Sequence, residues 1–349
     1  MRELEGRKAP TNRLPDGAKK RLLLLQTGGT LGMTHRTVEG SLRPPEVADE
    51  LLSSLPEARS IADIETRSLF NLDSSNVGIP QWQAIADTIE QEMDAYDGFV
   101  VIHGTDTMVY TASALSFMLS NLPKPVILTG AQRPISEIRT DARHNLISAL
   151  ELATKDVPEV GLFFNHRLLR GNRAKKVSIH EFDAFASPNF PPLAEVGLTI
   201  QVNAEAVRRP SGLFRLHREF SDRVLAIRVS PGMAPELLMP LADGPAEAIV
   251  LEAFGAGNVP TGDHSLIPFI ERATANGKVV AICSQAFSGA VNLGLYECGA
   301  IAQKAGAVSC GDMTVEAATV KLMFLLGQLG NPQRAARHLL LPLAGEVSV

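Results

Sequence analysis

The stretch Leu22-Leu23-Leu24-Leu25-Gln26-Thr27-Gly28-Gly29-Thr30-Leu31-Gly32 predicts a buried strand that runs into a tight glycine turn. Such a turn places hydroxyl groups and small residues at the carboxyl end of a strand, where open α/β sheets bind ligands. It matches neither G-x-G-x-x-G nor the G-K-[ST] signature of a phosphate-binding loop. Three interpretations remain open at this point: a structural turn, a phosphate cradle, or a loop that carries a nucleophile.

The rest of the chain alternates short apolar runs with longer amphipathic segments, which predicts an α/β fold with mostly parallel sheets. The predicted strands are Arg21–Gln26, Phe99–His103, Val126–Thr129, Val160–Phe164, Val224–Val229, Ala248–Ala253 and Val279–Cys283. Their continuous apolarity predicts burial on both faces. The predicted helices are Thr107–Asn121, Arg139–Thr154, Ser265–Asn276 and Thr314–Leu329, and Asn276-Gly277 and Gly330 mark helix ends.

The length of 349 residues is enough for two domains at roughly 150 residues each. We expect a polar, disordered tail at 1–20, a larger N-terminal α/β domain at 21–205, and a smaller C-terminal α/β domain at 223–349. The pattern breaks at Arg208-Arg209-Pro210-Ser211-Gly212. This break predicts an exposed linker at 206–222.

Composition and charge argue against several classes of protein. The chain is 45% hydrophobic and 20% charged, which is ordinary for a globular protein. The net charge is −5, and no basic stripe with interleaved aromatic residues indicates a nucleic-acid partner. No apolar run is long enough to span a membrane and no signal peptide is recognisable, so we expect a cytoplasmic protein without a membrane partner.

The cysteines and histidines give no sign of a metal site. The three cysteines lack C-x-x-C spacing, which favours buried, reduced thiols. The eight histidines include no H-E-x-x-H motif, and His103 is interpreted as a core or supporting residue. Cys283 ends a predicted strand but has no local histidine partner of the kind that a cysteine nucleophile needs.

A second candidate site is Val100-Val101-Ile102-His103-Gly104-Thr105-Asp106-Thr107, another strand that leads into a helix. Asp106 and Thr107 also fit a simple helix N-cap. If the two strands are neighbours, Thr27, Thr105 and Asp106 share one crevice, where backbone N–H groups can bind an oxyanion. A threonine hydroxyl is a poor nucleophile until a base takes its proton, so the crevice also needs a lysine, a histidine or a tyrosine.

A third stretch, Arg170-Gly171-Asn172-Arg173-Ala174-Lys175-Lys176, is crowded with cations. One interpretation is a solvated loop. The other is that a lysine desolvated beside Asp106 accepts a proton from Thr105. Burial lowers the pKa of a lysine, and a nearby carboxylate raises it again.

An ordered series of motifs runs along nearly the whole chain after the tail. The motifs are Thr27-Gly28-Gly29-Thr30-Leu31-Gly32-Met33, Asp73-Ser74-Ser75, His103-Gly104-Thr105-Asp106-Thr107-Met108, Thr129-Gly130-Ala131-Gln132, Arg170-Gly171-Asn172-Arg173 with Lys176, Phe182-Asp183-Ala184-Phe185-Ala186-Ser187-Pro188-Asn189, Gly255-Ala256-Gly257-Asn258 and Gly311-Asp312-Met313-Thr314-Val315-Glu316. In this order they resemble the bacterial-type L-asparaginases, and most closely the cytoplasmic type I branch of that family.

The resemblance implies two α/β domains, with the active site at the carboxyl edge of the larger N-terminal sheet. It implies hydrolysis of the side-chain amide of L-asparagine to L-aspartate and ammonia, with no metal and no organic cofactor. Thr27 corresponds to the nucleophile that forms the acyl-enzyme. Thr105 and Lys176, with Asp106 close by, correspond to the second catalytic group.

The resemblance also implies the contacts with the substrate. Ser74, next to Ser75, holds the α-carboxylate, and Asp106 binds the α-ammonium. Backbone atoms around Thr105 and Ala131 orient the amide. These assignments make chemical sense because an amino acid carries two opposite charges at fixed positions, and hydroxyls, amides and a carboxylate bind both.

In the family, a loop of the C-terminal domain of a neighbouring subunit completes the site. In this chain that loop points to Asn258 and, further along, to Ser288. The resemblance therefore implies a homodimer or a dimer of dimers.

The chain departs from the family in the hairpin that follows the Thr-Gly-Gly-Thr turn. The family places a tyrosine there, whereas Thr34–Pro44 contains none and Ser41 follows Gly40 at the expected position. The identity of the base is therefore open. Besides an asparaginase, the sequence allows a broader small-amide hydrolase with glutaminase activity, or an amino-acid-binding pseudoenzyme that has lost turnover.

Overall fold

The computed structural model describes residues 19–29, 31, 52 and 54–348. The described residues form two compact units, which divide between Arg218 and Glu219. The expected disordered tail lies outside the described residues, apart from Lys19 and Lys20. The hairpin segment Thr34–Pro44 also lies outside them. The division falls within the segment 206–222, and the expected domain bounds stay a prediction.

The first unit is built on an eight-stranded sheet. Its strands are β1 (Arg21–Gly28), β2 (Asp63–Leu72), β3 (Gly98–Ile102), β5 (Val126–Thr129), β6 (Val160–Phe164), β7 (Arg167–Arg170), β10 (Ala194–Val196) and β11 (Ile200–Val202). Short pairs are formed by β4 (Leu119–Ser120) with β12 (Arg215–Leu216), and by β8 (Lys175–Lys176) with β9 (Phe185–Ala186). Strands β2, β1, β3, β5 and β6 are parallel, and the remaining strands of the large sheet add to it antiparallel.

The order of strands creates a crevice between β1 and β3. The sheet runs β11-β10-β7-β6-β5-β3-β1-β2, so the chain passes from β1 to one neighbour and then returns to the other side of β1. At such a reversal the connections leave in opposite directions, and a crevice opens beyond the carboxyl ends of the strands. Leu22–Leu25 in β1 are at most 1% exposed, and this burial fixes the strand at the centre of the sheet.

The helices bounded by described residues of the first unit are α1 (Ala58–Ile61), α2 (Ile79–Gln91), α3 (Met108–Met118) and α4 (Ala142–Ala153). Single 3₁₀ turns occur at Ser74–Asn76 and Gly171–Arg173. Helix α3 begins directly after the loop of the second candidate site, and most of its residues are buried. The loop is therefore held between a buried strand and a buried helix.

The second unit has a four-stranded parallel sheet in the order β13-β14-β15-β16. The strands are β13 (Val224–Arg228), β14 (Ala248–Ala253), β15 (Val279–Ser284) and β16 (Val308–Ser309). The helices are α5 (Met239–Asp243), α6 (Ile267–Ala275), α7 (Glu297–Lys304), α8 (Val315–Leu329) and α9 (Pro332–His338). The buried core includes residues from β14, β15, α6 and α7.

Local sequence explains the ends of α8. The Thr314 hydroxyl accepts a hydrogen bond from the Ala317 amide at 3.1 Å, which caps the first turn. Gly330 follows the last turn with φ +58° and donates its amide to the Leu326 carbonyl. This left-handed conformation favours glycine, and the predicted helix end is confirmed.

One buried ion pair lies within the second unit. Lys321 in α8 pairs with Glu346, and both side chains are 0% exposed. The Lys321 ammonium also donates to the Leu341 carbonyl at 2.6 Å. The carboxylate of Glu346 accepts the Leu343 amide at 3.1 Å and the Ala344 amide at 2.7 Å. These bonds fasten the segment after α9 to α8.

The expected fold class is confirmed: mostly parallel sheets with helices, in an N-terminal part and a smaller C-terminal part. The predicted bounds of β5, β6 and β14 agree with the structure. The expectation of burial on both faces is wrong for β13. That strand lies at the edge of its sheet, and Leu225 is 39% exposed.

No helix in the described ranges has the length and apolar character needed to cross a membrane. Among the cysteines, Cys283 and Cys310 are buried and Cys298 is half-buried, all with free thiols. The thiols of Cys283 and Cys310 lie together, and a hydrogen bond between them and burial raise the pKa of Cys283. The expected burial is therefore confirmed for two of the three, and their reduced state stays a prediction.

Candidate active site

Thr27 lies at the carboxyl end of β1, at the strand reversal where folds of this class place their binding crevice. It is 1% exposed, and its hydroxyl donates to the Ile102 carbonyl of β3 at 2.8 Å. Gly28 and Gly29 follow with φ +116° and +88°. A Cβ on Gly29 would lie 2.6 Å from the Gly104 nitrogen, so only glycine allows the turn to pack against the loop after β3.

Ser74 follows β2 after one intervening residue, Asp73, and packs against the loop after β3. It is 4% exposed, and a Cβ on Gly104 would lie 2.7 Å from its side chain. The Thr107 hydroxyl donates to the Ser74 carbonyl at 2.6 Å and fixes the turn. The Ser75 hydroxyl and amide instead donate to Asp73, at 2.6 and 2.8 Å, and these bonds lower the pKa of the Asp73 carboxyl.

Lys176 connects the cation-rich stretch that it ends to the loop after β3, which carries Thr105 and Asp106. It lies in β8, whose pairing with β9 places Lys176 opposite Phe185. Its ammonium donates to the Thr105 hydroxyl at 2.8 Å and to the Asp106 carboxylate at 2.6 Å. The Lys176 side chain is 15% exposed, whereas that of Asp106 is 68% exposed. Thus the lysine is largely removed from water, while the carboxylate keeps a solvent-facing side for another cation.

The residues Arg170–Arg173, which precede Lys175 and Lys176, are buried. Arg170, Asn172 and Arg173 are at most 3% exposed. The Arg170 guanidinium is paired with Glu159, with Nε 2.7 Å from Oε2, and donates to the Ala206 carbonyl at 2.7 Å. The interpretation of this stretch as a solvated loop is therefore wrong for Arg170–Arg173, because these residues are buried and the charge of Arg170 is paired with Glu159.

Ala131 and Gln132 lie in the loop after β5, next to the loop after β3 at the same edge of the sheet. Ala131 is 1% exposed. The Gln132 side chain accepts from the Thr105 hydroxyl at 3.4 Å and donates to the Ser178 and Glu181 carbonyls at 3.4 and 3.2 Å. It therefore links the loop after β3 to the turn between β8 and β9.

Asp141 holds the loop after β5 by accepting hydrogen bonds from its backbone amides. It is 6% exposed and accepts the Gln132 and Arg133 amides at 3.0 to 3.1 Å. Burial raises the pKa of its carboxyl, and the hydrogen bonds from these amides lower it in part. Sequence reasoning missed Asp141, because the predicted helix Arg139–Thr154 placed it within the first turn, whereas in the structure it is the N-cap residue of α4.

His103 is confirmed as a core residue with 0% exposure. Its Nδ1 lies 2.8 Å from the Gly104 carbonyl oxygen, and its Nε2 lies 2.9 Å from the Thr111 hydroxyl. Burial lowers the pKa of His103 to about 4, although the bond to the Gly104 carbonyl raises it. The imidazole is therefore neutral near pH 7.

The structure gathers Thr27, Ser74, Thr105, Asp106 and Lys176 within the first unit. Asn258 belongs to the second unit, in a tight loop where its amide donates to the Phe254 carbonyl at 2.8 Å. Ser75 and Ala131 lie next to Ser74 and Gln132 in the first unit. Ser288 is an exposed residue of the second unit. In the part of the chain that the structure describes, no group of histidine, cysteine and carboxylate side chains is arranged to hold a metal ion.

Comparison with known protein families gives a matching family model for each of the two units. The family model described as Asparaginase, N-terminal, matches residues 21–208. The model described as Glutaminase/Asparaginase C-terminal domain matches residues 223–340.

Individual relatives match over nearly the whole chain. L-asparaginase 1 of Escherichia coli strain K12 is 39% identical, with 95% of this chain and 98% of that protein covered. The 60 kDa lysophospholipase of Mus musculus is 41% identical, with 95% of this chain and 63% of that protein covered. The solved structure of the thermostable L-asparaginase from Thermococcus kodakarensis has a TM-score of 0.87 and 37% identity, covering 94% of this chain and 99% of that one.

These similarities define the protein as a hydrolase that acts on amides. More narrowly, the chain belongs to the asparaginase family. The resemblance seen in the motifs, including that to the type I branch, is confirmed.

Proposed function

We propose that the protein hydrolyses L-asparagine to L-aspartate and ammonia through an acyl-enzyme on Thr27. The observation that carries the proposal is the contact of Lys176 with both Thr105 and Asp106, beside the crevice that contains Thr27. Family membership supports the choice of substrate.

In the proposed reaction, Thr27 Oγ1 attacks the side-chain carbonyl carbon of the substrate. The hydroxyl proton passes to the Lys176–Thr105 pair, which acts as the general base. The tetrahedral intermediate expels the amide nitrogen, which takes a proton and leaves as ammonia. Water then attacks the ester, so that aspartate and the Thr27 hydroxyl are released.

The substrate contacts follow from charge. Ser74 and the neighbouring Ser75 form the end of the crevice that would hold the α-carboxylate. The Asp106 carboxylate is paired with Lys176 on one side and is 68% exposed, so its remaining oxygen lone pairs suit the α-ammonium. Backbone atoms around Thr105 and Ala131 would orient the amide.

Glutamine is a second candidate substrate. The C-terminal family model is described as that of glutaminases as well as asparaginases. One additional methylene changes discrimination by only about 1–3 kcal/mol, so a site for asparagine can also turn over glutamine slowly. The absence of a tyrosine from Thr34–Pro44 keeps a binding protein without turnover as the third hypothesis.

We propose a cytoplasmic homodimer or dimer of dimers, in which the loop that carries Asn258 completes the site of a neighbouring copy. Exposed apolar side chains on the second unit, among them Leu295 and Tyr296 at 56% and 57% exposure, are consistent with burial between copies. The substrate is a small molecule, and neither a cofactor nor a nucleic-acid partner is proposed.

The test is the substitution Thr27→Ala, with Thr88→Ala as the matched control. Each threonine donates its hydroxyl to a backbone carbonyl at 2.8 Å, but Thr88 lies on α2 away from the crevice. We expect Thr27→Ala to lose at least about 10³-fold in kcat, while both variants keep the melting temperature within a few degrees. The measurement is ammonia release from asparagine, beside calorimetry with aspartate.

The outcomes separate the hypotheses. Near wild-type ammonia release by Thr27→Ala would exclude Thr27 as the nucleophile. Aspartate binding by the wild type without any ammonia release would favour the binding protein. Equal turnover of glutamine and asparagine would favour the broader hydrolase.

A further inference from the structure

His103 lies directly beneath the loop of the candidate site, and both of its ring nitrogens are hydrogen-bonded. The Gly104 carbonyl can only accept, so Nδ1 carries the proton at the 2.8 Å contact. In the neutral ring Nε2 is then an acceptor, and the Thr111 hydroxyl donates to it at 2.9 Å. The tautomer of His103 is thereby fixed by its surroundings.

A further donor completes this buried chain. The Trp82 indole N–H in α2 donates to the Thr111 hydroxyl oxygen at 3.0 Å. Because that hydroxyl accepts from the indole, its own proton is directed to Nε2 of His103. The chain therefore runs from Trp82 through Thr111 and His103 to the Gly104 carbonyl, with every donor and acceptor role determined.

The bond from His103 sets the direction of the Gly104–Thr105 peptide. Burial decreases along this loop, from His103 and Gly104, which are buried, to Thr105, which is half-buried, and Asp106, which is exposed. The described peptide bonds are all trans, so the C=O and N–H of one peptide point in opposite directions. With the carbonyl directed inward to His103, the Thr105 N–H is directed outward.

We propose that His103 is a positioning residue, which holds the Gly104–Thr105 peptide so that the Thr105 N–H donates to the substrate's amide oxygen as negative charge develops on it. This inference rests on the proposed amide hydrolysis. A backbone donor fixed in advance stabilises such charge without reorganisation at the moment of reaction. His103 acts through Gly104 and does not contact the substrate itself.

Packing around Gly104 shows why the peptide needs a fixed partner. Position 104 has no side chain to anchor it, and a Cβ there would collide with Ser74. Without the donor from His103, the Gly104 carbonyl would be left buried and unpaired, which disfavours this orientation of the peptide. A rotated peptide would turn the Thr105 N–H away from the crevice.

Two substitutions of His103 separate its two nitrogens. In His103→Asn the amide nitrogen lies near the position of Nδ1 and can still donate to Gly104. In His103→Gln the amide extends toward Thr111, and the donor to Gly104 is lost. Both replace the ring by a smaller amide, so their effects on stability should be similar.

We expect kcat for asparagine in His103→Gln to be at least about tenfold below that in His103→Asn, approaching the 10²–10³-fold effect of removing an oxyanion donor. The KM and the aspartate affinity should differ little between the two, because the donor acts on charge that develops after binding. Equal kcat values, or kcat values that follow the melting temperatures, would overturn the proposal.

A measurement on the wild type keeps the proposal testable if the variants do not fold. Nitrogen NMR of the full-length protein labelled at histidine should show His103 as the Nδ1-protonated neutral tautomer. The Nε2-protonated tautomer would overturn the inference. A wild type that releases no ammonia from asparagine refutes the proposed function, whereas an active wild type with equal Asn and Gln variants refutes the positioning role alone.

Discussion

Each unit of the protein contains a lysine paired with a carboxylate, and the two pairs differ in their surroundings. Lys321 and Glu346 are 0% exposed, and backbone groups take up their remaining hydrogen-bonding capacity. Lys176 is 15% exposed, and its partner Asp106 is 68% exposed. The first pair is closed to any further molecule, whereas the second leaves a carboxylate and a threonine hydroxyl available. Exposure of the partner, more than the ion pair itself, distinguishes a reactive pair from one that fastens the fold.

The largest effect on activity is expected for Lys176→Met. Loss of the proton acceptor should lower kcat by about 10²–10⁴-fold. Stability should change by under about 1 kcal/mol because Asp106 remains solvated. Ammonia release and thermal melting measure the two quantities, with Lys175→Met as the control for loss of a neighbouring cation. Substantial activity in Lys176→Met would remove the distinction between the two pairs.

Lys321→Met should have the opposite effect. It leaves the Glu346 carboxylate buried without its cation, so the free energy of unfolding should fall by about 3–5 kcal/mol. Activity per folded molecule should be retained. Urea unfolding checks the first expectation, and addition of Glu346→Gln to the same chain should restore part of the stability, because the amide removes the buried charge and keeps an acceptor for the Leu343 and Ala344 amides. A single variant as stable as wild type would mean that the buried pair is dispensable.

His103 sharpens the comparison as a buried group that stays uncharged, and its effect on stability for each pH unit is the smallest of the three. Its pKa is lowered by burial to about 4, whereas the unfolded chain has the reference value of about 6.5. Between these values the unfolded state binds the proton and the folded state does not. The free energy of unfolding should therefore fall as pH falls, by about 1.4 kcal/mol for each pH unit.

Urea titrations of wild type and His103→Asn between these two pH values isolate this contribution, because the other titrating groups are common to both. The difference in stability between the two proteins should be constant above pH 6.5 and should change with pH below it. Parallel curves over the whole range would show that His103 is protonated inside the fold.

The sequence alone predicted the bounds of strands that are continuous apolar runs, such as β5, β6 and β14. It missed β2, because the run Asp63–Leu72 mixes polar and apolar residues and most of the strand is only half-buried. The spacing and number of apolar residues do not identify such an edge strand in the sequence. Strand β2 nevertheless positions Ser74, so part of the site's framework was hidden from pattern reasoning.

The candidate site was predictable where chemistry followed a strand directly, as at Thr27, or where motifs matched a family, as at Lys176. The bonds that connect Trp82, Thr111 and His103 were not predictable. They join residues of separate elements that carry no shared motif, and only the packing of α2 and α3 against the loop after β3 brings them together. The same holds for Gln132, which bridges two loops by its side chain.

The reversal of strand order between β1 and β3 also has a consequence for folding kinetics. Thr27 lies near the end of β1, whereas Lys176 follows β7 much later along the chain. Contacts so distant along the chain form late, because loop closure costs entropy before the contacts compensate for it. In a refolding experiment, the return of activity would therefore report the slowest phase of sheet assembly, and early compact states would be silent.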